Sequence, residues 1–356
     1  MDTTLRAAAP SGARALMDLS GELWPAHPKP LPDELLSSWL MRTAYANGLR
    51  LQTFGNLIFG GRRQVWNRDI DRLGPTWLVT TMAACTGTPW HIAYGTTLRT
   101  FEGVLFRRFR VSGVLQWIQT LQVYHRKRQG YGLQYCPTCL REDAEPYYRR
   151  SWRVSFNTIC PQHRCMLLDR CPECKIGVAF HRTDIGKYSA NASGRLMVAC
   201  HRCGKDLSTS DAISVRGYDE ATLGAHVELC LALQRGLGPP LERLDVMHHL
   251  CRLMLGSTAH LQLQEFVAKK LDAPTVPRSL RRTGIESRPF WERHHFIQLA
   301  MWLMADLEAK LTSARDAKAL RYLHLKRDFV DPPPWYEELV SRFERRAGAV
   351  AAPRPS

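Results

Sequence analysis

The stretch YCPTCLREDAEPYYRRSWRVSFNTICPQHRCMLLDRCPEC, Tyr135–Cys174, decides how the rest of the chain is read. It holds Cys136-x2-Cys139, then twenty residues, then Cys160-x2-His163, and it ends on Cys171-x2-Cys174. Twenty-five residues further on, Cys200-x2-Cys203 completes the series. Each C-x2-C or C-x2-H places two donors on one tight turn, and two such turns brought together make the tetrahedral site that zinc prefers. Pro137, Pro161, Pro172 and Gly204 flank these turns.

The spacing predicts two structural Zn2+ sites. Sequential pairing gives Cys136, Cys139, Cys160 and His163 to one ion, and Cys171, Cys174, Cys200 and Cys203 to the other. An interleaved pairing stays open, because seven residues separate His163 from Cys171. His201 lies inside the last turn as an alternative donor. Cys165 reads as a spare, packed thiol, and Cys85, Cys230 and Cys251 as small core hydrophobes in helical segments.

Other cysteine chemistries fit less well. The N-terminus MDTTLRAAAPSGARALMDLS lacks the apolar region of a secretory signal, so the eleven cysteines read as those of a reducing compartment, not as a disulfide framework. A thioredoxin-like centre needs a βαβ context, and iron–sulfur clusters use other spacings. A catalytic zinc keeps an open position and a nearby acid or base, such as H-x-E before P-C-x-x-C. That pattern is missing, as are G-x4-G-K-[ST], H-E-x-x-H and G-x-S-x-G. His248-His249 and His294-His295 are adjacent residues about 100° apart on a helix, so neither pair clamps one ion. Each reads as one half-buried and one exposed histidine. The expectation is a protein that is not an enzyme.

The chain has 356 residues, 45% of them hydrophobic, enough for two or three domains. Lys and Arg number 49 against 33 Asp and Glu, a net charge of +16 that suits a polyanionic partner. Arg107, Arg108 and Arg110, Arg126, Lys127 and Arg128, and Arg149, Arg150 and Arg153 form local clusters, the candidate contacts to DNA or a protein partner. Tyr147 and Tyr148 accompany the last group on the loop between the first two turns.

The architecture expected is mainly α, with small zinc-ribbon β elements. Residues 1–30 read as a flexible arm, 31–132 as an N-terminal helix-turn-helix-like helical domain, and 133–215 as a tandem zinc-ribbon module. Residues 216–346 read as a C-terminal helical domain and 347–356 as a loose tail. LPDELLSSWLMRTAYANG (Leu31–Gly48) predicts a helix opening on Pro32, Asp33 and Glu34, with Leu36, Trp39, Leu40 and Thr43 on one face. A short helix is expected around Phe54–Phe59. Residues 76–98 read as a helix, a Gly87 turn and a second helix. Residues 111–129 predict another helix. SWRVSF and RLMVAC read as strand-like runs. Leu241, Leu244, Met247, Cys251, Met254 and Leu255 share a helical face, and PFWERHHFIQLAMWLMADLEAKL reads as one long helix. ARDAKALRYLHLKRDF and PPPWYEELVSRFERR read as two more.

Leu31–Gly48 resembles the N-terminal signature of the TniQ family of bacterial transposition proteins, and YCPTCL…W…ICPQHRCMLLDRCPEC resembles that family's zinc module. Together they cover about residues 28–210. Carried over by position, the resemblance matches the eight residues named above to zinc ligands, and Trp39 and Leu40 to core positions. Two positions depart from it: Arg164 follows His163, and Lys175 follows CPEC, where the family often has glycine. The resemblance implies a non-catalytic, cytoplasmic, nucleoid-associated bacterial adaptor of DNA transposition. It would link target DNA, or an RNA-guided CRISPR effector complex with its guide RNA, to an AAA+ transposition ATPase. It would work as a homodimer, with no membrane partner. The chain's length is nearer that of the shorter adaptors. The alternative is a stand-alone zinc-containing helix-turn-helix DNA-binding regulator.

Overall fold

A computed structural model describes residues 19, 21–60, 65–66, 68–121, 131–183, 196–256, 261–277 and 284–350 (the last six as backbone only). The structure is mainly helical, with one small two-stranded sheet and two Cys/His clusters in the central region.

The N-terminal part holds α1 (Leu36–Ala46), α2 (Leu51–Phe59), α3 (Ile70–Leu73), α4 (Thr76–Thr86) and α5 (Trp90–Tyr94). The first helix opens later than its sequence suggests. Asp33 takes a left-handed φ of 56°, so Pro32–Glu34 is a turn and not the first helical turn. The turn serves three bonds: Glu34 accepts from the Leu31 amide and the Ser38 hydroxyl, and it pairs with Arg42 at 2.7 Å. Residues Leu36 to Ala44 are all buried, so α1 is a central helix and not a one-faced one.

Part of the expected arm is docked. Trp24 is 1% exposed, edge-on to Phe54, and its amide donates to the Cys85 carbonyl. The Trp39 indole donates to the Pro28 carbonyl at 2.7 Å. Burial of this aromatic, with the backbone bonds beside it, offsets part of the entropy lost in ordering the arm. Residues 1–18 lie outside the described residues.

The helix-and-turn pair at 76–98 forms with Gly87 in the left-handed cap. Its second helix is only five residues long, with Trp90 and Ile92 exposed.

Residues 111–121 are not helical, against the sequence pattern. Trp117 has a φ of 64° and lies fully buried, edge-on to Phe156 and His248. Its amide donates to Glu286, and Ser155 donates to its carbonyl. Tertiary partners thus take the backbone bonds a helix would have used. Residues 122–130, with Arg126, Lys127 and Arg128, lie outside the described residues.

The central region has α6 (Pro137–Glu142) and a hairpin of β1 (Ile159–Cys160) and antiparallel β2 (Cys165–Met166). SWRVSF is not a strand: Arg150–Arg153 is a 3-10 turn, as is Leu196–Val198 within RLMVAC.

The C-terminal part packs α10 (Phe290–Ala305) against α7 (Glu220–Gln234), α8 (Leu241–Leu255) and α9 (Leu263–Lys270). The long helix expected from Pro289 onward breaks at Asp306, whose φ of −150° ends α10 and whose carboxylate caps α11 (Leu307–Asp316). Lys318 at a φ of 59° then separates α11 from α12 (Tyr322–Lys326). The last helix, α13 (Pro334–Val350), starts at proline as expected and takes in residues 347–350 of the expected tail. His294 and His295 are both buried, where one of the two was expected outside. They bond to Thr158 and to Tyr218.

Most of the buried apolar residues form one continuous cluster from Trp24 to Phe343. Polar joints run through it. Arg293 of α10, 0% exposed, donates to the Arg288 and Ser155 carbonyls and to Gln134 Oε1, and it faces Asp169 at 3.7 Å. Burial pulls its guanidinium down to about 10, against the pull of Asp169.

Candidate metal centres

The first centre is built by α6 and the hairpin. Cys136 is the N-cap of α6, and its sulfur accepts from the Cys139 amide at 3.4 Å. Pro137 at the first helical position fixes the turn. Reciprocal 2.9 Å bonds between the Tyr135 and Leu168 backbones close the base of the site. Cys160 ends β1, and His163 sits on the turn that leads to β2.

The donor atoms of Cys136, Cys139, Cys160 and His163 all lie within 4.8 Å of one another. Cys139 Sγ is 3.7 Å from Cys160 Sγ, and His163 Nδ1 lies 3.3–3.4 Å from all three sulfurs. A tetrahedral zinc has S···S edges of about 3.8 Å and S···N edges of about 3.5 Å, from bond lengths near 2.3 and 2.0 Å. The set therefore fits such an ion. The outer nitrogen, His163 Nε2, meets Glu142 Oε2 at 3.0 Å. That is how a metal-bound histidine is held: the carboxylate fixes the tautomer and leaves Nδ1 free to bind.

The second centre is made of two like turns. Cys171 N donates to Ile176 O and Cys200 N to Lys205 O; Lys175 N returns to Cys171 O and Gly204 N to Cys200 O. Lys175 and Gly204 occupy equivalent left-handed positions, at φ of 59° and 77°. Cys171 Sγ is 3.6 Å from Cys203 Sγ, and Cys174 Sγ is 3.6 Å from Cys200 Sγ. The donors group in sequential order, and His201 is not among them.

Cys230 and Cys251 are fully buried core residues. Cys165 is different: its sulfur lies 3.5 Å from that of Cys136, against the first cluster.

Several predicted cation contacts point inward. Arg153 is 1% exposed and pairs with Asp69 and Asp71; these charges are used inside the protein. Burial holds Asp71 up at about 6 even beside Arg153. Arg150 pairs with Asp33 and lies over Phe101. Arg149 bonds both oxygens of Asp143 and stacks on Tyr147 and Trp152. Tyr148 is fully buried. The loop between the first two turns is thus largely a joint with α1 and α3, not an open surface. Arg107 pairs with Asp245 and Asp331, while Arg108 and Arg110 are exposed.

The TniQ family model matches residues 25–167. These residues are a TniQ domain. The TniQ domain takes in α1 to α6, the hairpin and the whole first centre, and it stops before the second. No curated protein matches the chain. Among the described residues, no helix is long and apolar enough to cross a membrane.

Proposed function

We propose that the chain is a non-catalytic target-selection adaptor of DNA transposition, braced by two structural zinc ions. In this reading it joins target DNA, or a DNA-bound RNA-guided CRISPR effector complex, to an AAA+ ATPase, and acts as a homodimer in the bacterial cytoplasm. The observation that carries the reading is the TniQ domain over residues 25–167, with a complete Cys3His donor set folded inside it.

The donor sets support a structural role for the metal. Four protein donors at each centre match a closed tetrahedron, which leaves no place for a reacting water. Cys136, Cys139, Cys160 and His163 would hold one ion; Cys171, Cys174, Cys200 and Cys203 would hold the other. When bound, such an ion supplies folding free energy to loops that have little regular structure of their own. The N-terminal part (31–132), central module (133–215) and helical part (216–346) are proposed as the functional divisions.

Co-purification with the ATPase encoded beside it is the direct test. Retention of the ATPase in the presence of target DNA is expected. Tight binding to one operator sequence with no retention of the ATPase would instead favour the stand-alone regulator.

A further inference from the structure

We propose that Cys165 is a fifth donor of the first centre, able to take the coordination place of His163. The inference rests on the metal reading above and goes beyond its four-donor set.

Cys165 lies directly across the hairpin from Cys160, so the two side chains leave the same face of the pair. It is 3% exposed, and its sulfur sits 3.5 Å from Cys136 Sγ. Its sulfur therefore touches one donor of the cluster and its backbone pairs with that of another, Cys160. Cys251, a buried core thiol elsewhere, meets a backbone carbonyl instead. A separation of 3.5 Å is close to one ligand-to-ligand edge of a zinc tetrahedron, about 3.8 Å. Cys165 thus stands one ligand spacing from a member of the site, outside the set of four mutually close donors, so its side chain must move to join them.

His163 is the donor best placed to yield. Its side chain is 13% exposed on the turn, and its outer partner Glu142 is 56% exposed. The cysteines at the other three places are each at most 3% exposed. Zinc accepts four thiolates as readily as three thiolates and an imidazole. With an ion bound, Cys165 Sγ would replace His163 Nδ1 as the fourth donor, and the thiol proton would pass to the freed imidazole, so charge would be conserved.

The test uses the full chain and counts metal. Wild type and Cys165→Ala are expected to hold two zinc ions each. His163→Ala is also expected to hold two, and the His163→Ala/Cys165→Ala double variant only one. With Co2+ in place of zinc, the thiolate charge-transfer band of His163→Ala should grow by about one part in seven, as seven cysteine bonds become eight. A His163→Ala chain that holds one ion, as the double variant does, overturns the proposal. So does an unchanged cobalt band. Should His163→Ala fail to accumulate, chelator competition decides: Cys165→Ala is expected to release its first ion several-fold faster than wild type, and equal rates overturn the proposal. A wild-type count below two defeats the metal reading itself, a result distinct from loss in the variant alone.

Discussion

Arg42 Nη1 donates to Glu34 Oε2 across 2.7 Å, with both side chains nearly out of contact with water. The same guanidinium reaches Glu145 through Nη2 at 2.6 Å, tying α1 to the loop after α6. Desolvation lifts Glu34 to about 7 even with Arg42 beside it. Arg42→Met should therefore cost about 3–5 kcal/mol, because it leaves a buried carboxyl without its partner. Chemical denaturation would measure it. A double variant with Glu34→Gln should recover part of the loss. A single-variant cost below about 1 kcal/mol would show that the pair is not buried as described.

The left-handed turns give a second prediction. Arg164 and Lys175 have φ of 47° and 59°, where a side chain costs about 1–2 kcal/mol. Glycine removes that cost but loses up to about 1 kcal/mol to unfolded-chain entropy. Arg164→Gly and Lys175→Gly should each stabilise the metal-loaded protein by about 0.5–1 kcal/mol. A lower melting temperature in both variants would contradict the backbone description.

Acid should destabilise the protein through its buried histidines. His226 is fully buried; its Nε2–H donates to the Phe156 carbonyl, and Gln298 donates to its Nδ1. Burial pulls His226 down to about 3, from an ordinary value of 6.5. The unfolded chain binds the proton first, so this contribution is present above pH 6.5 and is lost as pH falls toward 3. The slope is about 1.4 kcal/mol per pH unit for one group. His226→Asn should flatten the stability–pH curve by about one proton between about pH 6 and 4. The difference from wild type isolates this residue from any acid effect at the cysteines.

Charge neutralisation should separate structural from contacting arginines. Arg153→Ala removes a cationic partner from the buried Asp71 and the half-buried Asp69 and should cost about 3 kcal/mol of stability. Arg108→Ala and Arg110→Ala should leave stability within about 0.5 kcal/mol. If these two residues touch phosphate, each change lowers DNA affinity and reduces the salt slope by about one. Filter binding across a salt series reads this out, and an unchanged slope removes them from the interface.

Cys160→Ser combined with Cys165→Ala should release one of the two ions and unfold its surroundings, since structural zinc contributes about 10–16 kcal/mol of apparent binding free energy in small zinc modules. Metal counting with circular dichroism checks it. Retention of both ions with an unchanged spectrum would contradict the first centre.

The legibility of this chain follows the range of the forces involved. Cysteine spacing is local, so the two donor sets could be read from the sequence, as could the existence of α8, although its burial extends beyond the expected face to Val246, His249, Leu250 and Leu253. Periodicity misled where distant partners intervened: Val111–Gln119 carries a helical pattern, yet Glu286 and Ser155 claim the backbone of Trp117. The arginines at 149, 150 and 153 read as a cationic surface because their carboxylates, Asp143, Asp33, Asp69 and Asp71, are mostly far away in sequence. Arg293, Gln134 and Asp169 carried no sequence signal, since no motif describes a joint between distant segments. Cys165 did have one: it follows His163 at a spacing that a hairpin places opposite Cys160.

Arg293 has a practical consequence for building hybrid proteins. Its guanidinium, rooted in α10, meets Gln134 just before the first metal turn and the Ser155 carbonyl just before β1. A chimaera that takes residues 25–167 from this chain and its remaining helices from another would inherit the acceptors without the donor. Grafts should therefore move Gln134, Asp169 and Arg293 together.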